Sequence, residues 1–395
     1  MKNKSIAILD IRSNEVVFLL GAKGVNGPFV ISSSHTERYE GFSNGAFLDK
    51  QSLRKAVNDS VNAVRQNYGG TIETVHVGVP SAFITVITKG HTVSFSSKRR
   101  VSSADVEYLY ESGWNELACG RRCIRRSAMY FSLGDNRKYF SVNELCGTAT
   151  TSLQGGLCYY CGADGFHDTL TAILNDLGIQ EIKFIPSTQA QAVYLMSEKK
   201  REGYAFLLDI GFLTSSFSVI YGSGIVHEET FDFGVGTVLV ELMEELGVDL
   251  ATAEEILAAS NISGGVVLGE LQWMNDRGDL QFPVRLLNDI IKSSLDELCE
   301  QIDRFFEERY KDKKTSGLSV NPISMTGEGI SLIKGCKEHI SKRISRLTEI
   351  VVPDLPYFDK PAFSSRIALL NMAIADKEKQ GWWRRIFNGF GGKKK

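Results

Sequence analysis

No stretch of this sequence is apolar over the roughly 20 residues that a helix needs to cross a bilayer. The opening residues, MKNKSIAILDI, are interrupted by Asp10 and offer no small-residue cleavage site, so a secretory signal peptide is not expected. Cysteine is sparse and odd in number, seven in 395 residues, which argues against a disulfide framework in a chain of this size. Cys158 and Cys161 form a CxxC, but GLCYYCGAD reads as a strand, where residues three apart face opposite sides of a sheet. No second CxxC and no paired histidines accompany it, and Cys119 and Cys123 also lack partners, so no metal site is expected. A cytoplasmic protein without metal or disulfides is the expectation these absences leave.

What is present is an ordinary globular composition, 43% hydrophobic and 23% charged, on a chain too long for one ordinary core. The net charge of −2 hides an asymmetry. Residues 381–395, GWWRRIFNGFGGKKK, contain no acid and carry five cations, Arg384, Arg385, Lys393, Lys394 and Lys395. At about 100° per residue, Trp382, Trp383, Ile386, Phe387 and Phe390 gather on an arc of roughly 140°, with the two arginines and Asn388 opposite. Large aromatics on one face and cations on the other predict a helix lying in the interface of an anionic membrane. A single helix of this kind binds marginally, so self-association of the protein would strengthen the attachment through effective concentration.

Along the body, strands are expected over Ser5–Ile11, Val16–Gly21 and Pro28–Ser32, a helix over Leu53–Tyr68, and a strand over Thr74–Val79. A similar order returns as strands over Tyr204–Ile210, Thr214–Tyr221 and Gly224–Phe231, followed by a helix over Val235–Leu246. Two strand meanders followed by a helix, each opening on a strand that ends in Asp-Ile, indicate a duplicated architecture. Asp10 and Asp209 close those two opening strands. A carboxylate there suits a hydrated magnesium opposite phosphates, and the following turns offer N–H groups to phosphate oxygens. Thr326, Gly327 and Gly329 in MTGEGI precede a helix expected over Ser331–Ser345. Glycines there would let a nucleotide base approach the backbone.

These motifs, in this order, resemble the actin-like ATPase superfamily and, within it, the FtsA family of bacterial division proteins. LDIRSNEVVFLLG resembles the first phosphate loop and DIGFLTSSFSV the second. FIPSTQAQAVYL is similar to the connecting helix, SMTGEGISLIKG to the adenosine motif, and VHVGVPSAF to the strand leading into the family's inserted subdomain. The resemblance implies an α/β, duplicated actin-like (ribonuclease-H-like) fold with an FtsA-type insert and a C-terminal amphipathic helix. It divides the chain into subdomain 1A over 1–79 and 158–203, an insert over 80–157, a second half (2A/2B) over 204–375, a linker over 376–380 and the membrane helix over 381–395. It also implies ATP with Mg as cofactor, and contacts from Asp10, Ser13, Asp209, Gly211, Thr214, Glu254, Thr326, Gly327 and Gly329. Within the insert a hairpin is expected over Phe83–Phe95 and a helix over Ser103–Cys119. Ten cations against six acids make the segment basic. A solvated face, or a surface for membrane or a partner protein, is preferred there to nucleic-acid binding.

The phosphate loops depart from the family pattern. Arg12 replaces the glycine after the first Asp-Ile, Phe212 and Leu213 replace the glycines of the second loop, and Ile185 stands where relatives carry a water-ordering Glu. Ser216 and Leu257 replace an acid and a base. Hydrolysis needs water, metal and charge stabilisation positioned together, so efficient ATP turnover is not expected, and no catalytic residue is assigned. Arg12 offers an alternative, in which its guanidinium takes the phosphate position and pairs with Asp10 or Asp209, holding the cleft closed without ligand. The resulting expectation is a peripheral adaptor on the inner face of the cell membrane, joining it to an FtsZ-like polymer or other divisome proteins. A nucleotide-driven actin-like filament former and a PilM-like pilus-assembly adaptor are the alternatives.

Overall fold

The computed structural model describes residues 5–24, 29–135, 137–263, 271–310 and 321–390, without the side chains of 379–390. The first half opens with β1 (Ile6–Ile11), β2 (Glu15–Lys23), β3 (Phe29–Arg38), α1 (Lys50–Tyr68) and β4 (Thr74–Val79). An insert follows, built from β5 (Ile84–Arg100), α2 (Ser103–Asn115), β6 (Cys123–Ser132) and β7 (Ala149–Gly162). The first half resumes with α3 (Asp164–Asp176), β8 (Glu181–Pro186) and α4 (Ser187–Leu195). The second half runs through β9 (Ala205–Ile210), β10 (Ser215–Tyr221), β11 (Gly224–Phe231), α5 (Val235–Leu246), α6 (Leu250–Ala259) and α7 (Val284–Tyr310). It ends with β12 (Ile323–Thr326), α8 (Glu328–Leu332), α9 (Cys336–Arg343) and β13 (Thr348–Ile350), and α10 (Ser364–Phe390) closes the described chain.

The duplication is visible in the hydrogen bonding. The two large sheets have the orders β8-β4-β1-β2-β3 and β11-β10-β9-β12-β13. In each, the opening strand runs antiparallel to the next and parallel to a later one, so both Asp-Ile ends emerge at the carboxyl edge of a central strand. All six residues of β1 and of β9 are buried, as strands covered on both faces require. The sequence encodes local boundaries too. The side chain of Asp49 accepts from the Gln51 N–H at 2.7 Å to start α1, and Gly69 ends it at φ +64°. Separate cores lie beneath α1 and α3, beneath α5 to α7, and within the insert. The other face of the first sheet is sealed by Ala368, Leu369, Leu370 and Ala373 of α10.

Several boundaries differ from the sequence reading. β5 is one strand of 17 residues, not a hairpin over Phe83–Phe95, because Gly90 stays extended and pairs with Gly156 of β7. The pairing of β5 with β7 continues to Gly162, which carries the insert past residue 157. α2 stops at Asn115, ahead of Ala118 and Gly120, both at positive φ. The helix expected over Ser331–Ser345 is two, broken at Gly335. α10 shows no interruption at 376–380, since DKEKQ contains neither proline nor glycine to end a helix. No helix among the described residues is long and apolar enough to cross a membrane.

Half of the insert's ten cations are ion-paired. Arg99 pairs with Asp105, Lys89 with Glu116 at 2.7 Å, Arg126 with Glu107, and Arg122 with Asp168 at 3.5 Å. Arg125 grips Asp376 of α10 through two bonds, of 2.7 and 3.0 Å. These paired cations are engaged within the fold.

Candidate functional site

The two Asp-Ile loops face one another, and each is shaped by its own backbone. Arg12 N–H donates to the Glu15 carbonyl at 2.8 Å, and Gly211 N–H donates to the Thr214 carbonyl at 3.1 Å. Tyr39 supports the first loop by donating its hydroxyl to the Arg12 carbonyl at 2.8 Å. The loops are joined directly, with Ser13 Oγ accepting the Leu213 N–H at 2.9 Å. Phe212 and Leu213 fold back on the start of α5. There Val235 N–H donates to the Gly211 carbonyl at 3.1 Å and Gly236 N–H to the Phe212 carbonyl at 2.8 Å. A helix N-terminus whose N–H groups would otherwise serve an anion is therefore capped by the loop itself.

Between the loops lies an ion pair. The Arg12 guanidinium meets Asp209 in a bidentate fork, Nη1 to Oδ2 and Nη2 to Oδ1, both at 3.0 Å. Gln191 of α4 adds its amide to Asp209 Oδ2 at 2.8 Å. The two charged side chains are only 15% and 7% exposed. Burial pushes the Asp209 carboxyl up, but the Arg12 charge and hydrogen bonds outweigh it and hold the group below its ordinary range. Burial works against the Arg12 cation, and Asp209 more than restores it.

Asp10 lies deeper and behaves differently. Its Oδ1 accepts from Ser365 Oγ of α10 at 2.8 Å, while Oδ2 is buried without a partner. Burial raises its pKa, against the opposing charges of Arg12 and Arg366. Glu328 is likewise pushed up to about 7 by burial, partly offset by Arg12, and its Oε1 is unpartnered. Arg12 thus serves three acids, the buried Asp10 and Asp209 and the half-buried Glu328, and is committed to Asp209.

The structure brings Asp10, Ser13, Asp209, Gly211, Thr214, Thr326, Gly327 and Gly329 to one region. The glycines there do something other than admit a base. A Cβ on Gly327, at φ +98°, would stand 2.3 Å from Asp209 Oδ1, and one on Gly329 would stand 2.3 Å from Ile210 Cγ2. They let the adenosine-type segment pack on the second loop. Thr326 donates its hydroxyl to Ser364 Oγ at 2.6 Å. Glu254 lies on the exposed side of α6, outside the residues that line the cleft. Ser365, Gln191 and Tyr39 are contributors that motif reading missed. Only Gln191 leaves a trace in the sequence, within the polar run STQAQA that α4 buries.

The cavity left between the loops has a volume of about 30 Å³. That is enough for a few waters, whereas sites for organic ligands run to about 300 Å³ and more. ATP with Mg, implied by the resemblance, does not fit this conformation. The carboxylate that would face the metal is held by Arg12, and the loop amides are spent on Ser13 and the loop's own turn. Trp382, Trp383, Arg384, Arg385, Ile386, Phe387, Phe390, Lys393, Lys394 and Lys395, expected from the sequence to meet a membrane, lie outside the described side chains.

No protein-family profile matches the chain. It is 20% identical over 387 residues to the cell division protein FtsA of Staphylococcus epidermidis, covering 94% of this chain and 79% of that one. Among solved structures it resembles the PilM-PilN type IV pilus biogenesis complex, with a TM-score of 0.60 at 13% identity over 94% of this chain and 99% of the other. It also resembles MreB5 of Spiroplasma citri bound to AMPPNP, with a TM-score of 0.58 at 9% identity over 98% of this chain and 100% of the other. The fold is the duplicated actin-like one that the motifs implied, and the chain is a divergent relative in likeness to FtsA.

Proposed function

We propose that this protein is a peripheral membrane adaptor of the cell-division machinery, whose closed body is held by Arg12 in place of nucleotide. The observation that carries the reading is the joining of a body similar to FtsA over nearly its whole length to the aromatic and basic segment 381–395. The segment attaches to anionic lipid on the cytoplasmic face, and the body binds an FtsZ-like polymer or other divisome proteins and a second copy of itself. The actin-like fold, on which MreB5 carries AMPPNP, supports ATP as the ligand of an opened cleft. Reaching that state requires Arg12 to leave Asp209, so adaptor activity does not depend on it. Hydrolysis is not part of this role.

Co-sedimentation with anionic vesicles tests this, using the full chain and a chain ending at residue 380, each with and without Mg-ATP. Binding that needs residues 381–395 and ignores ATP is the expected result. Binding that requires ATP would overturn the nucleotide-independent reading. The likeness to the PilM-PilN complex favours a pilus-assembly adaptor as the second reading. Vesicle sedimentation that survives loss of residues 381–395 would favour it over the division role.

A further inference from the structure

The insert contains a group of thiols that the adaptor reading does not use. Cys123 on β6 lies directly opposite Cys161 on β7. The next pair along, Arg122 and Gly162, is hydrogen-bonded, Gly162 N–H to the Arg122 carbonyl at 3.2 Å. Cys123 and Cys161 therefore occupy a non-hydrogen-bonded position, where facing Cα atoms stand about 4.5 Å apart. A disulfide accepts that separation. The thiol of Cys119, in the segment between α2 and β6, neighbours the Cys161 thiol. Cys119 and Cys123 are half-buried and Cys161 is buried. Cys158 takes no part, because it faces the second half and donates its thiol to the Ile225 carbonyl at 3.3 Å.

Two further observations narrow the chemistry. Among the described residues no group of three or more His, Cys, Asp or Glu side chains is placed to hold a metal ion. The reaction open to these sulfurs is with one another. The charges of Arg121 and Arg126 act on Cys161 and Cys123 respectively, and neighbouring cations favour thiolate character. Burial nevertheless pushes Cys123 up, and Cys161 up to about 12, so these two thiols are protonated at rest.

We propose that Cys119, Cys123 and Cys161 form a redox-modification site that closes a disulfide on Cys161 when the protein meets a peroxide. The sulfur of Cys119, in a half-buried connecting segment, attacks the peroxide. An S–O bond forms, the O–O bond breaks, and the rest of the peroxide leaves as alcohol or water, giving a sulfenic acid. The Cys161 sulfur then attacks the Cys119 sulfur. The S–S bond forms, the S–O bond breaks, and hydroxide departs with the Cys161 proton as water. Two thiols lose two electrons in all, and the peroxide gains them. Cys123, facing Cys161, receives the bond by thiol–disulfide exchange. The cross-link ties the connecting segment or β6 to β7, near Arg125, whose guanidinium holds Asp376 in α10.

The test uses the reduced full-length protein, dilute hydrogen peroxide, alkylation after denaturation, and peptide mapping without reductant. The expected result is an intrachain disulfide joining Cys161 to Cys119 or Cys123, with loss of alkylatable Cys161. Full alkylation of Cys161, or oxidation confined to the exposed Cys146, would overturn the proposal. Cys119→Ser should slow the loss of free Cys161 at least tenfold, an estimate that follows from removing the point of first oxidation. An unchanged rate would refute the assignment of Cys119. The wild-type map needs no variant to fold.

Discussion

Arg12 stands where the family pattern has a glycine, and its effect follows from where its charge ends. With its partner it is nearly enclosed, 15% and 7% exposed, so truncating one side leaves a buried carboxylate without a counter-ion. Removing one member of such a pair costs on the order of 3 kcal/mol, whereas replacing both is far milder. Arg12→Ala should therefore lower unfolding stability by about 3 kcal/mol, and adding Asp209→Asn should restore most of it. Urea unfolding of the two variants decides the matter, and a double variant no better than the single one would show that the fork is not what holds the loops. Glu328 contributes to the pH dependence. Burial moves it from its ordinary 4.5 up to about 7, so the folded protein keeps a proton that the unfolded chain releases. The associated stability is fully present below about pH 4.5 and is lost as pH rises through 7. Glu328→Gln should stabilise the protein above about pH 8 and change little near pH 4.5, and an equal shift at both would contradict the assignment.

At the scale of elements, what could be read in the sequence is what local chemistry decides. The strand over Gly224–Phe231 and the helix over Val235–Leu246 keep the expected bounds, because a tight turn and Gly247 at φ +62° mark their ends. Repetition of Asp-Ile identified both loop carboxylates. The misses are long-range. Gly90 looks like a turn until β7 is there to pair with it. Ser365 reaches Asp10 across 355 residues, and no local pattern announces that. Gly335 interrupts a helical pattern because it must. At φ +91° a Cβ there would lie 2.3 Å from the Ser263 nitrogen, whereas Gly247 has nothing within 4 Å. Gly335→Ala should cost well over 1 kcal/mol, since it adds a backbone clash to an unfavourable φ, and Gly247→Ala should cost clearly less. Melting temperatures of the pair measure the difference, and equal losses would mean that φ alone matters.

For the whole molecule, the proposed role requires fifteen residues, 381–395, to hold the body on a membrane. Five cations contribute on the order of 1 kcal/mol each near an anionic leaflet, screened within a Debye length of about 10 Å. The aromatic face would add burial that salt does not screen, so the proposed attachment has two separable parts. The body end of α10 is fixed independently. Ala368, Leu369, Leu370 and Ala373 seal the other face of the first sheet, and Asp376 is held by Arg125. Damage to the far end should leave the fold intact. Replacing Trp383 and Phe387 by Glu should abolish vesicle binding at every salt concentration, with an unchanged melting temperature. Neutralising Arg384 and Arg385 should instead weaken binding mainly at low salt, since only the screened part is lost. Because one such helix is marginal, binding of the wild type should also steepen with protein surface density as neighbouring tails act together. Strictly linear binding across that range would mean that each molecule holds the membrane alone, and that self-association plays no part in anchoring it.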